Sequence, residues 1–115
     1  MPENSLIPVT DATFAEVVLQ NPLPVVVDCW AEWCRFCVPL AKSLAELAPE
    51  FEGRVVIAKL NTDENPETAR AYRVLSLPAL LFFQRGVLVN TLGGLRPKSH
   101  LRQALTGSFE AYANR

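Results

Sequence analysis

The chain has no marked excess of either charge, no long apolar run and a single histidine. Its 11 cationic residues nearly balance 12 acidic ones and are spread along 115 residues, so there is no electrostatic footprint for nucleic acid or an anionic membrane surface. No apolar stretch reaches the roughly 18 residues of a membrane-spanning helix. The opening MPENSLIPVTDATF lacks the basic segment and apolar core of a secretory leader. A cytoplasmic protein is therefore expected, without nucleic-acid or membrane partners. No repeat, low-complexity tract or linker divides the chain, and 50% of its residues are apolar, enough to build one core. We expect a single domain over residues 1–115, with residues 1–6 as a loosely ordered N-terminal segment. Cysteine is also scarce. Three cysteines, two of them close together, read poorly as a structural disulfide framework where thiols are kept reduced.

What is present alternates in period. VTDATFAEVVLQNP predicts a helix opened by Thr10 or Asp11 as N-cap and closed before Pro22. LPVVVDCW is a continuous β-branched run, suited to a strand buried on both faces. Leu40, Leu44, Leu47 and Phe51 then recur at helical spacing, giving a helix from about Cys34 to Phe51 with Gly53 beyond its end. RVVIAKL is a second buried strand, and NPETARAYRV a short helix with Asn65 as cap and Pro66 in its first position. PALLFF is a third strand, which Gly86 turns back into VLVNTL as an antiparallel hairpin. RPKSHLRQALTGSF closes the chain as an amphipathic helix with Leu101, Leu105 and Phe109 facing inward. Strands alternating with helices, then a hairpin and a helix, imply an α/β fold with a mixed sheet covered on both faces.

The close cysteine pair lies in WAEWCRFCVPL. Cys34 follows a strand and short loop and opens the long helix, so free amides and the positive end of the helix dipole favour its thiolate. Cys37, three residues on, shares its face at a separation compatible with a disulfide. A low-pKa, exposed first thiol and a more buried second one divide the work: Cys34 attacks and Cys37 resolves. The other reading is half of a zinc site. Structural zinc takes four ligands, and the chain adds only Cys29 and His100, far apart and without a second spaced pair.

VVVDCWAEWCRFC, AKLNTDENPETARAYRV, SLPALLFFQRG and LGGL, in that order between about Thr10 and Leu105, resemble the thioredoxin family. The resemblance implies a thioredoxin fold, a three-layer αβα arrangement with a central five-stranded mixed sheet flanked by four helices. It also implies a monomeric thiol–disulfide oxidoreductase that reduces disulfide-containing proteins, draws electrons from a thioredoxin-reductase-type donor and binds no cofactor or metal beyond its Cys34–Cys37 disulfide. Asp28 matches the family's buried acid, a proton acceptor for Cys37, and Lys59 matches a position near that acid. An unpaired carboxylate in an apolar strand is expensive and its pKa should rise; a structural Asp28–Lys59 pair is the alternative. Leu77 and Pro78 fall on the family's cis-proline loop, where the backbone of Leu77 would pair with an extended substrate. By position alone, Pro78 reads as a strand-start proline. Trp33, Leu77, Pro78 and Gly93 would form a flat apolar docking surface. Cys29 is assigned to the core as a small buried hydrophobe, and His100 to a helix surface.

The sequence departs from the family's usual W-C-G-P-C by placing Arg35 and Phe36 between the cysteines. Arg35 should favour the Cys34 thiolate and shift the pair toward a more oxidising potential, while Phe36 should oppose this by shielding the sulfurs. Val38 stands where many members carry a cation, and Ala79 replaces the threonine common after the loop proline. Pro39 is expected to bend the helix close to the cysteines and alter access to Cys37. Two rival functions share these residues: a redox-inert binding module that keeps the docking surface, and a metal or iron–sulfur site formed through the CxxC pair.

Overall fold

The apolar run Val25–Trp30 forms β2, the middle strand of a five-stranded sheet in the computed structural model, which describes residues 6–113. Around it lie β1 (Ile7–Val9), β3 (Val56–Asn61), β4 (Ala79–Gln84) and β5 (Val87–Gly93), in the spatial order β1-β3-β2-β4-β5. Pairings β1–β3 and β2–β3 are parallel, whereas β2–β4 and β4–β5 are antiparallel. Helices α1 (Cys37–Phe51), α2 (Pro66–Ala71) and α3 (Lys98–Ala113), with a π-helical segment at Ala15–Leu19, cover the two faces. This is the mixed sheet between helical layers that the alternating pattern implied.

Successive residues of β2 point to opposite faces. Val26 enters a core with Leu44, Phe51, Phe82, Leu101 and Phe109 under α1 and α3. Val25, Val27 and Cys29 enter a second core with Phe14, Val18 and Phe83. There Phe14, Tyr72 and Phe83 meet with ring centroids 5.0 to 5.6 Å apart, two of the contacts edge-on, an arrangement that aligns positive ring edges with negative faces. The β4–β5 loop holds Arg85 and Gly86 at φ 54° and 79°, the left-handed pair a two-residue hairpin demands. Gly86 is required twice, since a Cβ there would lie 3.0 Å from the Leu19 carbonyl oxygen.

Four details differ from expectation. Leu6, expected within a loosely ordered segment, is 7% exposed and packs in the α1–α3 core; residues 1–5 lie outside the described residues. Strand β1 is three residues long and shows no period of its own, so only its register against Ala58–Leu60 reveals it. Helix α1 begins at Cys37 rather than Cys34, which sits in a preceding turn where the Cys37 amide donates to the Cys34 carbonyl at 3.2 Å. Pro39 is thus the third helical residue, where amides have no intrahelical partner, and α1 runs through it to Phe51.

The fourth concerns the caps. Thr10 and Thr13 exchange amide-to-hydroxyl bonds of 2.9 and 3.2 Å ahead of the π-helical segment. Asp11, the other expected cap, serves a different helix: its carboxylate accepts from the Thr68 amide at 2.8 Å and the Glu67 amide at 3.2 Å, capping α2. Asn65 occupies the N-cap position of α2, but its side chain accepts from the Asp11 amide at 2.8 Å and donates to the Asn61 carbonyl at 3.0 Å. Hydrogen bonding from Thr68, aided by the Glu67 amide, holds the Asp11 carboxyl below its ordinary range.

Replacing Asp11 with Ala should strip two α2 amides of their acceptor and lower the urea unfolding midpoint at pH 7 without changing the slope. A depressed carboxylate stabilises above its unfolded pKa and loses that contribution on protonation. The gap between variant and wild type should therefore close as pH falls below about 4.

Candidate active site

The antiparallel pairing of β2 with β4 decides where the site forms. Cys29 lies opposite Ala79, so the residues that follow β2 run level with those that precede β4. Trp30 and Ala31 thereby stand beside Pro78 and Leu77, which are joined by a cis peptide bond. Ala79 pairs in turn with Gly93, and the Gly94 amide donates to the Pro78 carbonyl at 2.9 Å. One end of the sheet thus gathers the cysteine turn, the Leu77–Pro78 loop and the end of β5.

The cysteine turn is fastened by the Cys34 amide, which donates to the Ala31 carbonyl at 3.1 Å. Cys34 and Cys37 are joined by a disulfide, with Cα atoms 5.4 Å apart. The expected contrast of an exposed first sulfur and a buried second is not present in this oxidised pair: the residues are 5% and 4% exposed. Their surroundings do differ. Cys37 lines a cavity of about 290 Å³ together with Asp28, Lys59, Trp30, Val38 and Ala41, and Cys34 is not on its wall.

Asp28 is 1% exposed, and its Oδ1 has no hydrogen-bond partner among the described residues. Burial pushes its carboxyl up to about 7, against the opposing charge of Lys59. Lys59 lies opposite Asp28 in the β2–β3 register and faces the same cavity. Among the described residues the ion pairs are Lys98–Glu46 and Arg102–Glu50, so the alternative of a direct Asp28–Lys59 bridge is not realised. An acid poised near neutrality beside a cysteine sulfur is suited to accept a thiol proton.

The remaining candidates sit outside the cavity. Trp33 is 68% exposed, and its Nε1 donates to Asp63 Oδ2 at 3.0 Å, orienting the indole. Arg35 is exposed and Phe36 is 56% exposed, so the Phe36 ring leaves much of its surface in water. Cys29 points into the opposite core, where burial, with the charge of Asp28, pushes its thiol up to about 12. His100 lines a shallow groove between α3 and β5 with Asn90 and Ser108. No group of three or more His, Cys, Asp or Glu side chains is placed to share a metal among the described residues. Sequence reasoning missed Asp63 and most of the cavity wall, which comes from several elements. Trp30 was findable, because it lies two residues after Asp28 on the same face of β2.

A family model described as thioredoxin matches residues 5–107. The chain is 48% identical over 93 residues to a thioredoxin of Streptomyces clavuligerus, covering 81% of this chain and 86% of that one. It is 45% identical over 97 residues to a thioredoxin of Synechocystis sp., covering 84% and 91%. Thioredoxin 1 of Nostoc sp. is 43% identical over 97 residues, with the same coverage.

The position of Asp28 has a stability consequence. With its carboxyl raised to about 7, the folded chain holds a proton that the unfolded chain releases near pH 4, so stability is lost as pH rises from about 4 to about 7. The loss is up to ~4 kcal/mol by pH 8. Asp28→Asn should accordingly unfold at a higher urea concentration than wild type at pH 8, with the difference vanishing toward pH 4.

Proposed function

The chain belongs to the thioredoxin family and is a protein-disulfide oxidoreductase acting through Cys34 and Cys37, and from that premise we propose that it works as a reductase with two unequal cysteines. Family membership makes disulfide-containing proteins its substrates and a separate reductase its electron source. The observation that carries the division of labour is the shared cavity: Cys37 lines it with Asp28, and Cys34 does not.

In the proposed cycle the Cys34 thiolate, favoured by the amide end of α1 and the neighbouring Arg35 cation, attacks one sulfur of a partner disulfide. A Cys34–partner bond forms, the partner disulfide breaks, and the released thiolate takes a proton from water. Cys37 then gives its proton to Asp28 and attacks the Cys34 sulfur, forming the Cys34–Cys37 disulfide, breaking the Cys34–partner bond and freeing the second partner sulfur as a thiolate that takes a proton from water. Two electrons pass from the cysteine pair to the partner, and a thioredoxin-reductase-type donor returns them. Lys59 moderates the charge that Asp28 carries before it takes the Cys37 proton. Phe36 and Arg35 tune the pair from outside, one as apolar surface and one as charge.

Docking falls to Trp33, Leu77, Pro78 and Gly93. Leu77 offers backbone groups to an extended segment laid against the loop, in the manner of an added strand. No bound cofactor enters the cycle. The protein acts as a cytoplasmic monomer, without nucleic-acid or membrane partners; its net charge is −1, and no helix among the described residues is long and apolar enough to cross a membrane.

Cys37→Ser should accumulate a covalent mixed disulfide with an oxidised protein substrate, and Cys34→Ser should form none. In the otherwise intact chain, Asp28→Asn should prolong the mixed disulfide roughly tenfold to a hundredfold near pH 7, the scale of lost general-base assistance. Equilibration with a graded glutathione buffer, read by alkylation and mass, tests direction. A pair more reducing than the glutathione pool supports reduction, and one at or above it assigns the protein to disulfide exchange or oxidation.

A further inference from the structure

Among the described residues, four large apolar side chains are more than half exposed: Trp33 at 68%, Phe36 at 56%, Val38 at 73% and Leu75 at 93%. All four belong to the segments gathered at the disulfide end of the sheet. Trp33 and Phe36 flank the turn that holds Cys34, Val38 follows Cys37, and Leu75 lies two residues before the cis bond. Nothing in the fold calls for an apolar side chain at Leu75, and Val38 borders the Asp28 cavity yet leaves most of its surface in water. Val38 is on the outer side of α1, whose inward positions are Cys37, Leu40 and Leu44. Leu75 is held outward because Val74 and Leu77 on either side pack against the core, and the Val74 amide is tied to the Ala69 carbonyl at 2.9 Å. A groove of about 350 Å³ continues from Leu75 past Ser76 and Ala79 to Gly93. Exposed apolar surface concentrated in one place marks an interaction site.

The charges around this surface do not single out a partner of either sign. Glu32 and Asp63 are exposed on it, as are Arg35 and Arg73, and Arg96 donates to the Gly93 carbonyl at 3.0 Å at the end of the groove, three cations against two anions. Steering by charge is correspondingly weak.

We propose that Phe36, Val38 and Leu75 form an apolar rim that selects protein disulfides whose attacked cysteine is flanked by aliphatic or aromatic residues, with little dependence on salt. The proposal rests on the reductase reading above and names the substrate class of that same site. The occupant is fixed by continuity with the disulfide, because any partner must bring its own sulfur to Cys34. In an extended segment, side chains two positions before and after the attacked cysteine share its face. One of them meets Leu75 and the groove, and the other meets Phe36 and Val38.

The test compares kcat/KM for three oxidised peptides of equal length, carrying Leu, Ser or Asp at both flanking positions, with bis(2-hydroxyethyl) disulfide as a small neutral control. Wild type should favour the Leu peptide over both others by about tenfold, the scale of one or two apolar contacts, at both about 0.05 and about 0.5 M salt, where screening of charge differs strongly. A Leu75→Ser variant alters only an exposed side chain that lies off the Asp28 cavity. It should keep its rate with the small disulfide within about twofold while its preference for Leu falls to about twofold. Equal rates with all three peptides, a preference abolished by salt, or a Leu75→Ser variant that keeps the full preference would each overturn the rim. Failure of the wild type to reduce the small disulfide would instead overturn the reductase reading, and the rim with it.

Discussion

Strand β2 is enclosed on every side. Strands β3 and β4 take its backbone groups, and helical layers cover its two faces, so Val25, Val26, Val27, Asp28 and Cys29 are all essentially without solvent. That enclosure removes water from the Asp28 carboxylate and moves its titration up to about 7. The same pairing brings the end of β2 level with the start of β4, which sets the Cys34 turn beside the Leu77–Pro78 loop. Shift β2 by one residue and Asp28 would exchange faces with Cys29, leaving the cavity beside Cys37 lined by a thiol instead of an acid.

A carboxyl group in that position is costly to the fold when ionised, and the structure moderates the cost only in part. Lys59 faces the same space across the β2–β3 register without closing an ion pair. A direct bridge would hold Asp28 ionised and remove its use as a proton acceptor near neutral pH. The separation across the cavity keeps the acid titratable. In the proposed mechanism stability is subordinate to chemistry here, as is common where a buried group has a perturbed pKa.

The remainder of the molecule keeps this end of the sheet in place. Asp11 ties the entry of the chain to the N-terminus of α2, and the Arg85–Gly86 hairpin sets β5 so that Gly93 lies next to Ala79. Helix α1 starts after the cysteine turn rather than within it. Cys34 therefore belongs to a turn held by its amide bond to Ala31 and by the Cys37 amide on its carbonyl, and Cys37 is the first residue of a helix. The disulfide joins a loop to a helix, which suits a bond that must open toward a partner on one side and close from the other.

The sequence alone was sufficient for whatever is local or periodic. The β-branched run of β2, the spacing of Leu40, Leu44, Leu47 and Phe51, the Gly86 turn and the inward stripe of α3 are each written in a few consecutive residues, because burial imposes a period of 2 or 3.6 on the chain. The CxxC pair and the isolated acid in an apolar strand were legible for the same reason. Contacts between distant segments were not. That Asp11 caps α2, that three residues at Ile7–Val9 add a strand, that Leu6 enters the core and that Asp63 orients Trp33 all depend on through-space pairing, which leaves no local signal. Pro39 shows the difference most plainly: as a residue type it breaks helices, but α1 begins only two residues earlier, where no amide bond is there to lose. The sequence determined which groups exist and which way each element faces. Tertiary structure decided which of them share a cavity, since that depends on strand order and register.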